Sequence, residues 1–338
     1  MEHPLRLPIV LVVLLAVLLA GCTAPASRQV VVYTSVDQVY ADPILAAFER
    51  ETGVRVRPVF DVEASKTTGL SNRLLAEAAH PQADVFWNGE FLQTILLRRR
   101  GVLAAYASPS RAGIQPAWAD PQGYWTGMGA RIRVLLVNKT AMTKPVAQSL
   151  DALLDPALAG GRTGIAYPLF GTAATHAAAL YAALGPARGR EFFEKLQHSG
   201  IRVVDGNSVV RDLVASGQLS VGLTDSDDAC EAMAKGAPVR IVIPDADPAG
   251  VMVTPGTVAL IRGAPHPVEA RLLIDWLLAA RAERRLIDSG FCQMSVRSGR
   301  VESRCPASGP IRAMSVSLEE IAAQYERSRG DMETIFVR

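Results

Sequence analysis

The nine residues from Val221 to Ala229 read Val-Gly-Leu-Thr-Asp-Ser-Asp-Asp-Ala, which packs three carboxylates and two hydroxyls into Thr224 to Asp228. Ser220 to Leu223 predict a short buried strand running into this stretch, and Ala229 to Lys235 predict the helix that leaves it. In open α/β sheets the crevice beyond the carboxyl ends of the strands is where ligands bind. Asp225, Asp227 and Asp228 would suit a hard metal ion or an ammonium group. Capping of the following helix would explain one aspartate there, but a single cap needs a single carboxylate.

Five further short polar segments follow strands or open helices: Thr34 to Gln38, Glu63 to Thr68, Asn88 to Glu90, Phe170 to Thr172 and Gly206 to Ser208. Ser65 reads as the N-cap of a helix running to Ala79, with Lys66, Thr67 and Thr68 in its first turn. A lysine there is repelled by the positive end of the helix dipole unless an anion sits between them. Ser65, Gly171 and Ser208, at three helix N-termini, favour an anionic group, while Asp37, Asp225, Asp227 and Asp228 favour a cation. The candidate site is therefore bipolar. Its residues are Ser35, Asp37, Glu63, Ser65, Lys66, Thr67, Asn88, Glu90, Gly171, Thr172, Asn207, Asp225, Asp227 and Asp228, with Asp225, Asp227 and Asp228 as the metal candidates.

The elements that would position these residues alternate. Strands are predicted at Val30 to Tyr33, Val54 to Val59 and Ala83 to Trp87, with helices between them ending at Glu51, Ala79 and Arg100. This rhythm gives a parallel sheet with right-handed crossovers. Gly127 to Val137 is mostly apolar in its second half, Ile132 to Val137, and reads as a crossing between two lobes. Gly164 to Tyr167, Ile201 to Val204 and Ser220 to Leu223 repeat the strand pattern, separated by helices from Ala173 to Leu184, from Glu191 to His198 and up to Gly217. Val239 to Ile243 and Val251 to Leu260 carry the chain back. Helices are predicted at Pro267 to Leu278, Ala282 to Asp288 and Leu318 to Tyr325. The expected division is one lobe from residues 30–131 and 251–300, a second from 132–250, and a C-terminal segment, 301–338, packing on both. The aromatics Tyr33, Tyr40, Trp87, Tyr124 and Tyr167 read as core residues near the cleft.

The chain has 338 residues, 49% hydrophobic and 20% charged, which suits two α/β lobes with substantial cores. Its 35 basic and 33 acidic residues leave a net charge of +2 and no basic stripe, so no nucleic-acid partner is expected. Arg6 precedes an apolar run from Leu7 to Ala20, the length of a signal-peptide core and short for a membrane-spanning helix. Of the later cysteines, Cys292 and Cys305 are expected to close a disulfide, leaving Cys230 as a buried free thiol. No cysteine or histidine spacing fits zinc.

The run ending in Leu19, Ala20, Gly21 and Cys22 resembles the lipobox of bacterial lipoproteins, which implies removal of residues 1–21, lipidation of Cys22 and a tether from 22 to 29. Further along, Val-Tyr-Thr-Ser at 32 to 35, Ala-Asp-Val-Phe-Trp-Asn at 83 to 88, Gly-Ala-Arg-Ile-Arg-Val at 129 to 134, Gly-Thr at 171 to 172 and Gly-Asn-Ser-Val-Val at 206 to 210 resemble the extracellular solute-binding proteins of ABC importers, nearest the ferric-iron-binding type. The resemblance implies a two-lobed periplasmic-binding-protein fold (type II) with hinge strands and a cleft, no enzymatic activity, a monomer on the outer face of a membrane, and an ABC permease and ATPase as partners. It also implies an anion held by Lys66, Gly171, Thr172 and Asn207, and iron(III) as transported ligand. The family's iron-binding tyrosine pair falls at Asp227 and Asp228, and its histidine near Asp37, so phenolate chelation is missing. Carboxylates are acceptable ligands for a hard trivalent ion. A zwitterion such as 2-aminoethylphosphonate fits the same bipolar arrangement. The competing class is a metal-dependent hydrolase holding magnesium on Asp225, Asp227 and Asp228. Against it, the chain shows no Ser or Cys nucleophile paired with a positioned histidine, since His176 and His198 fall inside helical runs.

Overall fold

The computed structural model describes residues 28–61, 67–244, 248–298, 305 and 311–337. The expectations for Cys22 and for Glu63, Ser65 and Lys66 lie outside these. In chain order the strands are β1 (Gln29–Thr34), β2 (Arg55–Phe60), β3 (Val85–Asn88), β4 (Leu103–Ala104), β5 (Thr126–Asn138), β6 (Thr163–Ala166), β7 (Arg202–Val204), β8 (Val221–Asp225), β9 (Val239–Val242) and β10 (Val253–Ile261). The helices are α1 (Gln38–Thr52), α2 (Thr68–Ala76), α3 (Leu92–Arg99), α4 (Gly171–Leu184), α5 (Pro186–His198), α6 (Asn207–Ala215), α7 (Ser226–Ala234), α8 (Pro267–Leu277), α9 (Ala280–Ser289) and α10 (Leu318–Phe336).

The strands lie in the order β2-β1-β3-β10-β5-β8-β6-β7, with β4 paired to β10 and β9 to β5. Strands β1, β2 and β3 are parallel, as are β6, β7 and β8, because helical crossovers return the chain to the same end each time. Strand β5 joins the two groups. Its first half pairs antiparallel with β10, from Thr126 opposite Val258 to Ile132 opposite Val253. Its second half pairs with β8, from Arg133 opposite Asp225 to Val137 opposite Val221. All thirteen residues of β5 are buried, as a strand covered on both faces requires.

Two apolar clusters flank the β1 to β3 side of the sheet, one around Phe48, Trp87 and Trp276 and the other around Phe86, Phe91 and Ile95. Two more flank the β6 to β8 side, around Tyr181, Phe193 and Leu196 and around Val134, Val210 and Val214. The molecule is two-lobed, with a mixed α/β sheet running through both lobes. Helix α10 spans them: Leu318, Ile321 and Tyr325 join one set of clusters, and Met332 and Ile335 the other. The sequence pattern ends this helix at Tyr325, but it continues to Phe336, because Tyr181 and Arg190 hold Asp331 and the apolar face resumes beyond the polar turn.

Several boundaries differ from the expected ones. Helix α2 begins at Thr68 rather than after Ser65, and its N-cap is Thr67 at φ +65°, the one described residue other than glycine in the left-handed region. Helix α4 starts at Gly171, two residues early. Helix α7 starts at Ser226, directly from β8, so Asp227 and Asp228 belong to its first turn rather than to a loop.

The disulfide expectation is corrected. Cys230 on α7 bonds Cys305, with Cα atoms 5.6 Å apart, and Cys292 is the free thiol. The segment after α9 crosses the start of β5, where Ala130 bridges Met294, and this turns Cys292 into the core against Gly129. Gly129 has φ +60°, and a Cβ there would lie 2.5 Å from the Cys292 sulfur, so the close approach needs glycine. Burial pushes the Cys292 thiol well above its ordinary pKa, which makes it unreactive.

Candidate functional site

A cleft of about 490 Å³, including its open mouth, lies where the ends of β1, β3, β6 and β8 meet. Of the fourteen expected residues it is lined by Ser35, Asp37, Thr67, Glu90, Gly171, Thr172, Asn207, Asp225 and Asp228. Asn88 and Asp227 lie behind that lining. The cleft wall also contains Gly89, Phe170 and Gly206, which lie in the expected polar segments, Tyr167, which was expected as core near the cleft, and Arg131 and Asp205, which the sequence reading did not assign to the site.

Four helices point their N-termini at this cleft. Helices α1, α4, α6 and α7 have Asp37, Phe170, Gly206 and Asp225 at their N-caps, and none of the four makes a side-chain capping hydrogen bond. Helix α4 opens on Gly171 at φ +53°, a conformation suited to glycine. The first backbone N–H groups of a helix have no partner within it and carry the positive end of its dipole.

The β1 and β3 side of the cleft is tied together by short polar contacts. Ser35 Oγ donates to Asn88 Oδ1 at 2.5 Å and accepts from Gly89 N at 2.9 Å. Glu90, fully buried, accepts from the backbone of Leu92 at 2.5 Å and Gln93 at 2.9 Å, and from Asn88 Nδ2 at 3.0 Å. It also accepts from Thr175 Oγ1 at 3.0 Å, a bond that reaches helix α4 across the cleft. Burial raises the Glu90 pKa, and these donors only partly offset that.

The acidic residues do not cap α7. They are paired with arginines. Arg133 Nη1 lies 2.9 Å from Asp225 Oδ1 and 3.0 Å from Asn207 Oδ1. Asp225 also accepts from the Thr172 hydroxyl, and from Asn207 Nδ2 at 3.2 Å. Arg131 Nη1 lies 2.6 Å from Asp227 and 3.6 Å from Asp225, and its Nη2 donates to Gly89 O at 2.8 Å. Arg211 Nη1 lies 3.3 Å from Asp228, which accepts from Thr224 Oγ1 at 3.0 Å. Burial opposes charge on Asp225, but Arg133 and Arg131 overcome it and hold the carboxyl below its usual range. Asp227 goes the other way. Burial and the nearby Asp225 and Asp37 push it up to about 6 against the pull of Arg131. Burial likewise opposes the charge of Arg131, and Asp227 and Asp225 hold its pKa above the ordinary value.

Three carboxylate oxygens of Asp225, Asp227 and Asp228 fall within 4.8 Å of one another, close enough to share a cation. Each of the three already contacts a guanidinium, although Arg211 is shared with Asp212 and Glu231. The sequence carried a sign of this: Arg131 and Arg133 stand two apart in an otherwise apolar strand, so their side chains leave on one face, and buried arginines require acids. His176, the histidine nearest this network, is 3% exposed on α4. Burial and the Arg133 charge lower its pKa to about 3, so it is neutral.

The model for the family described as bacterial extracellular solute-binding protein matches residues 29–292. Iron uptake protein A1 of Synechocystis is 22% identical over 316 residues, 88% of this chain and 84% of that protein. Among solved structures, iron-bound HitA of Pseudomonas aeruginosa superposes with a TM-score of 0.79 at 21% identity, covering 92% of this chain and all of HitA. The periplasmic binding protein AfuA of Actinobacillus pleuropneumoniae, with exogenous fructose-6-phosphate bound, superposes with a TM-score of 0.81 at 22% identity, covering 91% of this chain and 98% of AfuA.

Proposed function

Since this chain belongs to the bacterial extracellular solute-binding proteins, whose members work with an ABC permease and ATPase, we propose that it captures a small metal-free anion or zwitterion of the organophosphate or organophosphonate class. The observation that carries this reading is the convergence of four helix N-termini, none capped by a side chain, on one cleft. Phosphate or phosphonate oxygens accept from the N–H groups opening α4 and α6. Asp37 and Asp205, which line the cleft, receive an ammonium or hydroxyl at the other end of the solute. Tyr167 and Phe170, with ring centroids 6.4 Å apart, cover the ligand's apolar part. The fructose-6-phosphate bound to AfuA is a ligand of this chemistry in a similar fold.

Iron(III) with a companion anion is the second reading, supported by the proximity of the three carboxylates and by the iron in HitA. Its weakness is that the carboxylates are already paired.

Closure takes place about β5. Its partner changes from β10 at Ile132 to β8 at Arg133, within one residue of the lobe boundary at 131/132; the second boundary is placed at 250/251. Ligand bound between the lobes favours the closed form because only that form lets both sides touch it. The protein is a monomer, exported and lipidated at Cys22; incorporation of a fatty-acid analogue that a Cys22→Ser change abolishes would test the anchor. Small-angle scattering with and without 2-aminoethylphosphonate tests the mechanism. A smaller radius of gyration with ligand supports hinge closure, and an unchanged radius with demonstrated binding contradicts it.

A further inference from the structure

We infer that Arg131 is a resident counter-cation that occupies the place a metal ion would take among Asp225, Asp227 and Asp228, and so sets the cleft's specificity against metal cargo. This rests on the reading of the cleft as a site for a metal-free solute.

The side chain is 9% exposed and reaches three structural units at once. Its Nη1 sits 2.6 Å from Asp227 on α7 and 3.6 Å from Asp225 at the end of β8, and its Nη2 donates at 2.8 Å to Gly89 O beside β3. The guanidinium also lies 4.9 Å from the centroid of the Phe291 ring, which fixes its plane. A cation bridging Asp225 and Asp227 would have to sit within a few ångströms of this fixed positive charge. Repulsion at that range, in a buried setting, weakens cation binding on the order of 10³-fold per unit of cation charge. The guanidinium cannot escape by deprotonation.

The geometry also leaves acceptor capacity that a cation could use once the arginine is gone. Asp227 is 2% exposed, and its Oδ1 is buried with no hydrogen-bond partner, while Oδ2 is taken by Arg131. Asp228 stands one residue on, in the same helical turn. Removing Arg131 therefore leaves both oxygens of Asp227 without a hydrogen-bond donor and takes one positive charge away from Asp225, with Asp228 within reach. A resident arginine and a bound metal are alternatives for one position.

The test is terbium(III) titration, followed by its sensitised luminescence, on the wild-type chain and on Arg131→Met, Arg131→Lys and the double variant Arg131→Met/Asp227→Leu. The expected result is saturable one-to-one binding by Arg131→Met, at least about 10³-fold tighter than any binding by wild type or Arg131→Lys, and its loss in the double variant. Equally tight binding by wild type and Arg131→Met, or none by a folded Arg131→Met, overturns the inference. If Arg131→Met does not fold alone, refolding with terbium reads the same property: rescue supports it. Failure to rescue, while the double variant folds, overturns it. A separate thermal-shift experiment with 2-aminoethylphosphonate reports on the solute reading. Lack of a shift there, with terbium excluded from wild type, would sink the solute reading alone.

Discussion

Asp225→Ala should be among the most damaging single substitutions in the molecule, for reasons that lie in the ligand-free protein. Asp225 is 2% exposed and is the acid that faces Arg133, itself 1% exposed, across the β5–β8 ladder. It also accepts from Thr172 and Asn207; its loss leaves one buried guanidinium without its acid and the buried Thr172 hydroxyl without its acceptor, while Asn207 Nδ2 keeps its bond to Thr172. Breaking a buried ion pair from one side costs about 3–5 kcal/mol, because the surviving charge remains desolvated. For a chain of this length that is a fall of about 5–10 °C in melting temperature. Asp225→Asn keeps an acceptor for Thr172 and should fall between wild type and alanine. Replacing both partners, Asp225→Leu with Arg133→Met, removes the stranded charge and should recover most of the loss. Differential scanning calorimetry on the ligand-free protein measures all three. A melting point for Asp225→Ala within about 2 °C of wild type would refute the network. So would a double variant as unstable as the single one.

His176, buried and neutral with its pKa lowered to about 3, favours folding fully above the unfolded histidine pKa of about 6.5. As pH falls from there towards 3 the unfolded chain gains a proton that the folded chain refuses, and stability drops by up to about 1.4 kcal/mol per pH unit. Urea midpoints at several pH values should show this slope, reduced by one proton's worth in His176→Gln; an unchanged slope would mean that His176 protonates normally in the fold. Asp225, held below its usual range, adds its own loss only at lower pH, as the carboxyl becomes protonated. Non-reducing peptide mapping should join the peptides of Cys230 and Cys305, and leave Cys292 open to alkylation only after denaturation. Cys305→Ser opens a loop closed across 75 residues and should cost about 4 kcal/mol on the chain-entropy account.

Much of the fold could be read from the chain because apolar periodicity and glycine stops carry it: Val30 to Tyr33, Ala83 to Trp87 and Val239 to Ile243 are close to the observed strands, and Gly53 ends α1 in the left-handed conformation. Element ends were less legible. Thr224 and Asp225 look like loop residues by composition, yet β8 keeps them in the ladder because Arg133 and Val134 of β5 pair opposite them. The site was legible as a set of loops, and nine of its fourteen expected residues line one cleft. Its charge balance was not. An aspartate counts as available in a sequence until the strand that faces it is known, and Arg131 and Arg133 were read as part of a crossing strand. Tyr167 looked like core by type, but it follows the last residue of β6 at the cleft, where Phe170 turns back to meet it. The disulfide was misread because proximity in sequence favoured Cys292 with Cys305, whereas pairing is decided by which side of β5 each chain segment passes.

The central claim, a cleft that takes a metal-free anion or zwitterion on its helix N-termini, is tested most directly by isothermal titration calorimetry. The soluble domain, stripped with chelator, would be titrated with 2-aminoethylphosphonate, with phosphate, and with iron(III) citrate. The account predicts one-to-one binding of 2-aminoethylphosphonate without metal, reduced by Gly171→Ala, and no cleft binding of iron. Binding of iron(III) citrate alone, with no heat from either phosphorus compound, would contradict it and return the aspartates to the role of metal ligands.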